Sequence, residues 1–66
     1  MKLHVETDND YVIYKLPKHV CKELMIEKLK ENLSNSNIVF MELIDNGKSV
    51  FINKNKIVKI YIEENE

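Results

Sequence analysis

The N-terminal part of the chain alternates apolar and polar residues in the way that half-buried strands do. Leu3 and Val5 alternate with polar neighbours, and a second apolar run covers residues 11–16. Between them, residues 7–10 are Thr, Asp, Asn and Asp, whose short side chains bond to nearby backbone and favour a turn. The pattern predicts a β-hairpin that ends at Pro17.

The apolar spacing changes over residues 18–33, where apolar side chains recur three and four positions apart and charged residues occupy the other side. This spacing predicts an amphipathic helix, with Pro17 at its first position, where the missing N–H costs nothing. Ile26 lies off the main stripe, which indicates a wide buried face or a contact with a second chain. The stripe consists of Val20, Cys21, Leu24, Met25, Leu29 and Leu33.

Three further strands are predicted in the C-terminal half, over residues 38–44, 49–53 and 57–62. The first two are joined by Asn46-Gly47, a pair that readily adopts positive φ in a tight hairpin, and this explains the only Gly of the chain. The polar residues 53–56 separate the last strand from the strand before it. Residues 63–66 form an acidic tail that is expected to fray.

These elements predict a single α+β domain over residues 1–66, with one helix packed on one face of an antiparallel sheet in two layers and the order β-β-α-β-β-β. The helix can cover only one face of such a sheet. The residues expected on that covered face are Leu3, Val5, Met41, Leu43, Val50, Ile52, Val58 and Ile60.

Large aromatic side chains then fall on the outer face of the sheet. Tyr14, Phe40, Phe51 and Tyr61 are the predicted partner-binding residues, because exposed apolar patches mark interaction surfaces and aromatic residues anchor them. The alternative is ordinary core filling, since a register shift of one residue moves every side chain of a strand to the opposite face. The same outer face would support self-association into a homo-oligomer.

Composition argues against most kinds of active site. The 66 residues include one Gly, one Pro, one Cys and no Trp, so Gly-rich phosphate loops, disulfides and zinc sites have no basis in the sequence. Cys21 and His19 are two positions apart on the predicted helix and point away from each other. We therefore expect no enzyme, no catalytic residue, no metal and no cofactor.

The predicted helix begins among basic residues, contrary to the usual preference for acidic side chains and a polar cap at this end. Lys15, Lys18, His19 and Lys22 would surround its free amides. This arrangement predicts contact with an anion or with an acidic segment of a partner. The alternative is that these lysines are simply solvated.

A nucleic-acid-binding regulator is the second functional hypothesis, with the lysines on phosphates and Tyr11, Tyr14 and Tyr61 stacked on bases. The net charge of −1 and the absence of Arg among ten basic residues argue against it.

The sequence thus favours a small regulatory protein-binding module rather than an enzyme. No apolar run approaches the length of a membrane span, and no secretory signal precedes residue 10, so a cytoplasmic location is expected. The small size and the Lys-, Asn- and Ile-rich composition would suit an inhibitor or adaptor encoded by a phage or another mobile element.

Overall fold

One α-helix and five β-strands form the fold in a computed structural model that describes residues 1–64. Their order confirms the predicted α+β class and the succession β-β-α-β-β-β. The end of the predicted acidic tail, residues 65 and 66, lies outside the described residues. The elements are β1 (Lys2–Thr7), β2 (Tyr11–Lys15), α1 (Lys22–Ser34), β3 (Phe40–Asp45), β4 (Lys48–Asn53), a 3₁₀ turn (Lys54–Lys56) and β5 (Ile57–Glu63).

The strands form two antiparallel sheets rather than the single sheet expected from the sequence. Sheet A has the order β2-β1-β5, and sheet B consists of β3 and β4. The sheets adjoin at Lys15, whose amide donates to Oδ1 of Asp45 at 3.0 Å and whose carbonyl accepts from the amide of Asn46 at 3.3 Å. Because a side-chain carboxylate replaces a backbone acceptor here, the ladder does not continue from β2 into β3.

A single apolar cluster joins the two sheets and the helix. Leu3 and Val5 of β1 are almost fully buried, as are Met41 and Leu43 of β3. Leu29 is the buried residue of α1, which closes the cluster from the helix side. The helix therefore packs against residues of both sheets, and the predicted inward face is confirmed at these four strand positions.

The helix begins at Lys22, four residues later than the sequence predicts. Residues 17–20 instead form a turn in which the amide of Val20 donates to the carbonyl of Pro17 at 3.2 Å. Cys21 is the N-cap residue, with extended backbone angles and no side-chain capping bond. The predicted stripe is also displaced, because Leu24 is exposed whereas Ile26 is half-buried.

Lys54 stabilises the C-terminal end of α1 from the other side of the fold. Its ammonium group donates to the carbonyls of Asn32 at 3.2 Å and Leu33 at 3.4 Å, and it also contacts the carbonyl of Asn35. The last carbonyls of a helix lack partners within the helix and carry partial negative charge. No basic residue lies in the last turn of α1 itself, so Lys54 provides this charge from the β4–β5 connection.

The turn between β3 and β4 has the predicted geometry. Asn46 has φ of 52° and Gly47 has φ of 82°. Positive φ at both central residues matches the twist of a two-residue hairpin, and Gly adopts it without steric cost.

Val58 does not lie on the inward face, which corrects its predicted position. Lys59 of β5 pairs with Glu6, but the next pair along β1 joins Thr7 to Ile57, so Val58 is an extra residue in the strand. Such a β-bulge changes which side chain turns inward. Ile57 packs against the core in its place, and Val58 is exposed.

Candidate functional site

The two most exposed aromatic side chains lie together on the outer face of sheet B. Phe40 is 59% exposed and Phe51 is 64% exposed. Phe40 pairs with Asn53 and Phe51 pairs with Glu42, so the two rings are diagonal neighbours on one face. Ile44 is a third exposed apolar residue on this surface, which we name the hairpin face (Phe40, Glu42, Ile44, Ser49 and Phe51).

The two polar members of the hairpin face satisfy each other. The Ser49 hydroxyl donates to Oε2 of Glu42 at 2.7 Å across the strands. With this acceptor already engaged, the rest of the face offers apolar rings and a branched aliphatic chain. Such a surface is suited to another protein surface, since it presents few groups that recognise a small polar ligand.

The four predicted partner-binding aromatics do not form one surface. Tyr14 lies directly opposite Leu3, so it shares the inward face and is buried in the core, which corrects its expected outward position. Burial raises the pKa of the Tyr14 hydroxyl above its ordinary value, with a smaller contribution from the charge of Asp45. Tyr61 is exposed, but it belongs to the outer face of sheet A.

A polar aromatic cluster occupies that outer face of sheet A, and we name it the histidine cluster (His4, Tyr11, Tyr61 and Glu63). Although His4 points away from the core, it is only 7% exposed. Its Nδ1 lies 2.6 Å from the Tyr11 hydroxyl, and its Nε2 lies 2.7 Å from Oε1 of Glu63. The hydroxyls of Tyr11 and Tyr61 are 2.8 Å apart. Every strand of sheet A therefore contributes to one continuous hydrogen-bond chain.

Chemistry sets the direction of the bond at one end of this chain. An ionised carboxylate only accepts, so Nε2 of His4 donates to Glu63. The hydrogen bond with Tyr61 is the largest of the causes that raise the pKa of Tyr11 to about 12, ahead of partial desolvation and the charges of Glu6 and Glu63. A hydroxyl that holds its proton so firmly is a poor nucleophile near neutral pH.

The predicted basic residues belong to three neighbouring segments of the chain around the start of α1. Lys15 belongs to β2, Lys18 and His19 lie in the turn before α1, and Lys22 is the first residue of the helix. Glu23 follows Lys22 in the first turn, and its own backbone amide, together with the Cys21 thiol at 3.3 Å, lowers the pKa of this carboxyl. Anion binding by these residues stays a prediction.

Lys22 borders a groove between α1 and β5. Its ammonium group lies 3.3 Å from Oε1 of Glu64, just beyond the end of β5. The groove has a volume of about 370 Å³ and is lined mainly by aliphatic side chains of the helix and the strand. Ile26, which stands off the stripe in the sequence, is one of them.

Within residues 1–64, no group of three or more His, Cys, Asp or Glu side chains could hold a metal ion. In that same part of the chain, no helix has the length and apolar character needed to cross a membrane.

The histidine cluster and the groove are the two features that sequence reasoning missed. Period-2 alternation does place His4 on the face opposite Leu3 and Val5, which was a usable signal. The pairing of His4 with Tyr61, which lies 57 positions along the chain, depends on the strand order of sheet A, and local patterns carry no information about that order. Comparisons with protein-family models, with curated proteins and with solved structures give no match for this chain.

Proposed function

We propose that this chain is a small protein-binding module of the regulatory rather than the catalytic kind, and that it self-associates through sheet B. The observation that carries the proposal is the exposure of Phe40 and Phe51 as neighbours on the hairpin face. Aromatic residues of this size anchor protein interfaces when they are desolvated together. The proposed location of the module is the cytoplasm.

The two-stranded form of sheet B supports a second copy as the first partner. Within the described residues β3 and β4 pair only with each other, and isolated two-stranded sheets are marginal in water. Four consecutive residues of β4, Val50 to Asn53, line an open groove of about 340 Å³ beside β2. The unpaired edge of β4 is therefore accessible, and unpaired strand edges are templates for pairing with another chain.

The sequence of β4 is compatible with antiparallel pairing to itself. When two copies of β4 pair around Phe51, the two Phe51 rings lie opposite each other on the outer face. On the inner face, Val50 of one copy lies opposite Ile52 of the other, because directly opposed residues share a face. Lys48 is the only charged residue of β4. This register places it opposite Lys54, just beyond the strand, whose ammonium group is directed at the carbonyls of α1.

The accessible surface of the chain is consistent with a missing partner. The chain exposes 4908 Å². Folded monomers of 7.8 kDa expose about 4,400 Å². A stable interface covers about 800 Å² on each partner, so the excess accounts for part of such a surface.

Nucleic-acid binding has less support from the same geometry. Lys54, in the 3₁₀ turn before β5, is directed to the carbonyls of α1. The Tyr61 ring is stacked on His4, and the hydroxyls of Tyr11 and Tyr61 bond to each other. These groups would have to leave their partners before they could contact phosphates or bases.

Sedimentation velocity on the purified chain, from micromolar to millimolar concentration, tests the proposal. We expect a dimer for the parent chain and a monomer for Phe51→Glu, because the two introduced carboxylates would lie directly opposite each other across the paired strands. Leu24→Glu is the matched control, since Leu24 is 65% exposed, close to the exposure of Phe51, but lies on the helix. A parent chain that stays monomeric throughout would contradict the proposal, as would equal dissociation of the Leu24 variant.

A further inference from the structure

The groove between α1 and β5 runs along an unpaired strand edge. β5 is the outer strand of sheet A and, within the described residues, pairs only with β1. Three consecutive residues, Ile60, Tyr61 and Ile62, line the groove. Successive side chains of a strand point to opposite faces, so a groove that contacts all three must follow the edge of the strand. Alternate backbone N–H and C=O groups of β5 therefore face into it.

The helix side of the groove presents a regular row of side chains. Lys22, Ile26 and Lys30 all line it and are spaced four residues apart, which places them in one row along α1. Leu29 and Leu33 lie beside this row and extend its apolar part. The two lysines are the only charged residues that line the groove. Along α1 the row therefore presents a positive side chain, an apolar one and a second positive one.

The spacing of this row matches that of an extended peptide. Four helical residues advance about 6 Å along the axis at 1.5 Å each. Two residues of a strand advance about 6.6 Å, and those two side chains share a face. A strand lying beside β5 would therefore place its first, third and fifth side chains next to Lys22, Ile26 and Lys30 in turn.

Charge complementarity specifies the peptide. Lys22 already has a carboxylate within reach, that of Glu64 at 3.3 Å, and Lys30 has no ion-pair partner in the part of the chain that the structure describes. Carboxylates at the first and fifth positions of the peptide would pair with the lysines, and an apolar third side chain would contact Ile26. Main-chain bonds to the edge would supply affinity, and these side chains would supply specificity.

We propose that the groove between α1 and β5 binds an extended segment of a partner protein with the pattern acidic, any, apolar, any, acidic, which adds a fourth strand to sheet A beside β5. The site is separate from the hairpin face and does not depend on self-association. The lysines also discriminate against basic segments, because a like charge placed at either end of the row is repelled.

A labelled peptide containing Glu-Thr-Val-Thr-Glu is the probe, with fluorescence anisotropy for affinity and amide chemical shifts of the labelled protein for location. We expect the largest shifts in β5 and α1. The matched peptide Lys-Thr-Val-Thr-Lys should bind about tenfold more weakly, since each exposed pair contributes a factor of a few. A Glu peptide that is N-methylated at alternate residues should also bind more weakly, because the main-chain donors are removed.

Protein variants complete the test. Lys22→Glu with Lys30→Glu should reverse the preference between the two peptides, and Lys22→Gln with Lys30→Gln should remove it without adding repulsion. The control with the same charge change is Lys28→Glu with Lys48→Glu, because neither residue lines the groove. Phe51→Glu should bind the Glu peptide as the parent does, which separates this site from the proposed self-association.

Several results would overturn the inference. Equal affinity for the Glu and Lys peptides would remove the role of the lysines, and undiminished binding of the N-methylated peptide would remove the added strand. Shifts confined to sheet B would place the peptide elsewhere. If the amide chemical shifts of β5 and α1 change when the protein concentration is raised without peptide, a second copy of the chain occupies the groove.

Discussion

The imidazole of His4 lies parallel to the ring of Tyr61, with 4.5 Å between the ring centroids and 6° between the planes. The two residues are direct partners in the β1–β5 ladder. Tyr11 meets the same imidazole edge-on at 5.8 Å, and Lys59 lies 5.3 Å from the centre of the Tyr61 ring. The outer face of sheet A is thus held by stacking as well as by hydrogen bonds, without an apolar layer over it.

Replacement of His4 measures how much this face contributes to stability. We expect His4→Phe to lower the free energy of unfolding by about 1–2 kcal/mol, because the stack is kept while the bonds to Tyr11 and Glu63 are lost. His4→Ala should cost about 1 kcal/mol more, since the aromatic contact is lost as well. Urea denaturation monitored by circular dichroism measures both, with the exposed His19→Ala as control. Equal stability of the parent chain and His4→Phe would contradict the structural role of the cluster.

The raised pKa of Tyr11 gives the cluster a defined alkaline signature. Because the pKa is about 12 in the folded chain and about 10 in unfolded chains, the folded state holds this proton more firmly. The associated stability is fully present below pH 10 and is lost as the pH rises toward 12. Ultraviolet titration of the tyrosines should show a transition near pH 12 that belongs to Tyr11. Tyr61→Phe removes the main cause and should move that transition toward pH 10, whereas Tyr14→Phe should leave it in place.

The contact of Lys54 with the carbonyls of α1 can be tested by comparing it with Lys56, which lies in the same 3₁₀ turn. Lys54→Met keeps most of the aliphatic stem but removes the charge from the helix carbonyls, so we expect the free energy of unfolding to fall by about 1–2 kcal/mol. Thermal and urea unfolding measure the loss, and far-ultraviolet circular dichroism should show less helix. Lys56→Met should have little effect, since Lys56 is exposed. Comparable losses in the two variants would exclude a specific contact.

Because of the β-bulge, we expect Ile57 to contribute more than Val58 to the free energy of unfolding. Ile57→Ala should lower the free energy of unfolding by about 1–2 kcal/mol, because Ile57 is partly buried against the core. Val58→Ala should change it by less than about 0.5 kcal/mol, because Val58 is exposed. Simple alternation of apolar residues predicts the opposite. A larger loss at Val58 would therefore argue for an unbulged strand.

The elements themselves could be predicted because each has a local signal. Alternation identified β1, and the Asn46-Gly47 pair fixed the turn between β3 and β4 through its positive φ. The helix start was wrong because Pro17 is as suitable for a turn as for a first helical position, and residues 17–20 form such a turn. The division into two sheets depends on the Asp45 side chain bonding to a backbone amide 30 positions away, which no local pattern reveals.

The candidate surfaces were predictable only in part. Phe40 and Phe51 are exposed as the alternation of β3 and β4 suggests. The sequence predicts Tyr14 on the outer face because one helix cannot cover all the large side chains, whereas its pairing with Leu3 turns it inward. The groove depends on how α1 lies against β5, and that arrangement is a property of tertiary packing alone.

The position of β1 between β2 and β5 has a consequence for how the chain acquires its structure. Lys2 lies opposite Glu63, so the central strand obtains its second neighbour only after some sixty further residues have been synthesised. In a ribosome-bound chain that ends before Ile57, sheet A consists of the β1–β2 hairpin only, and one side of β1 stays unpaired. Closure of sheet A is thus a late, long-range event, and contacts of such sequence separation slow folding. Partner strands or chaperones that recognise bare edges would meet this intermediate before the native state exists.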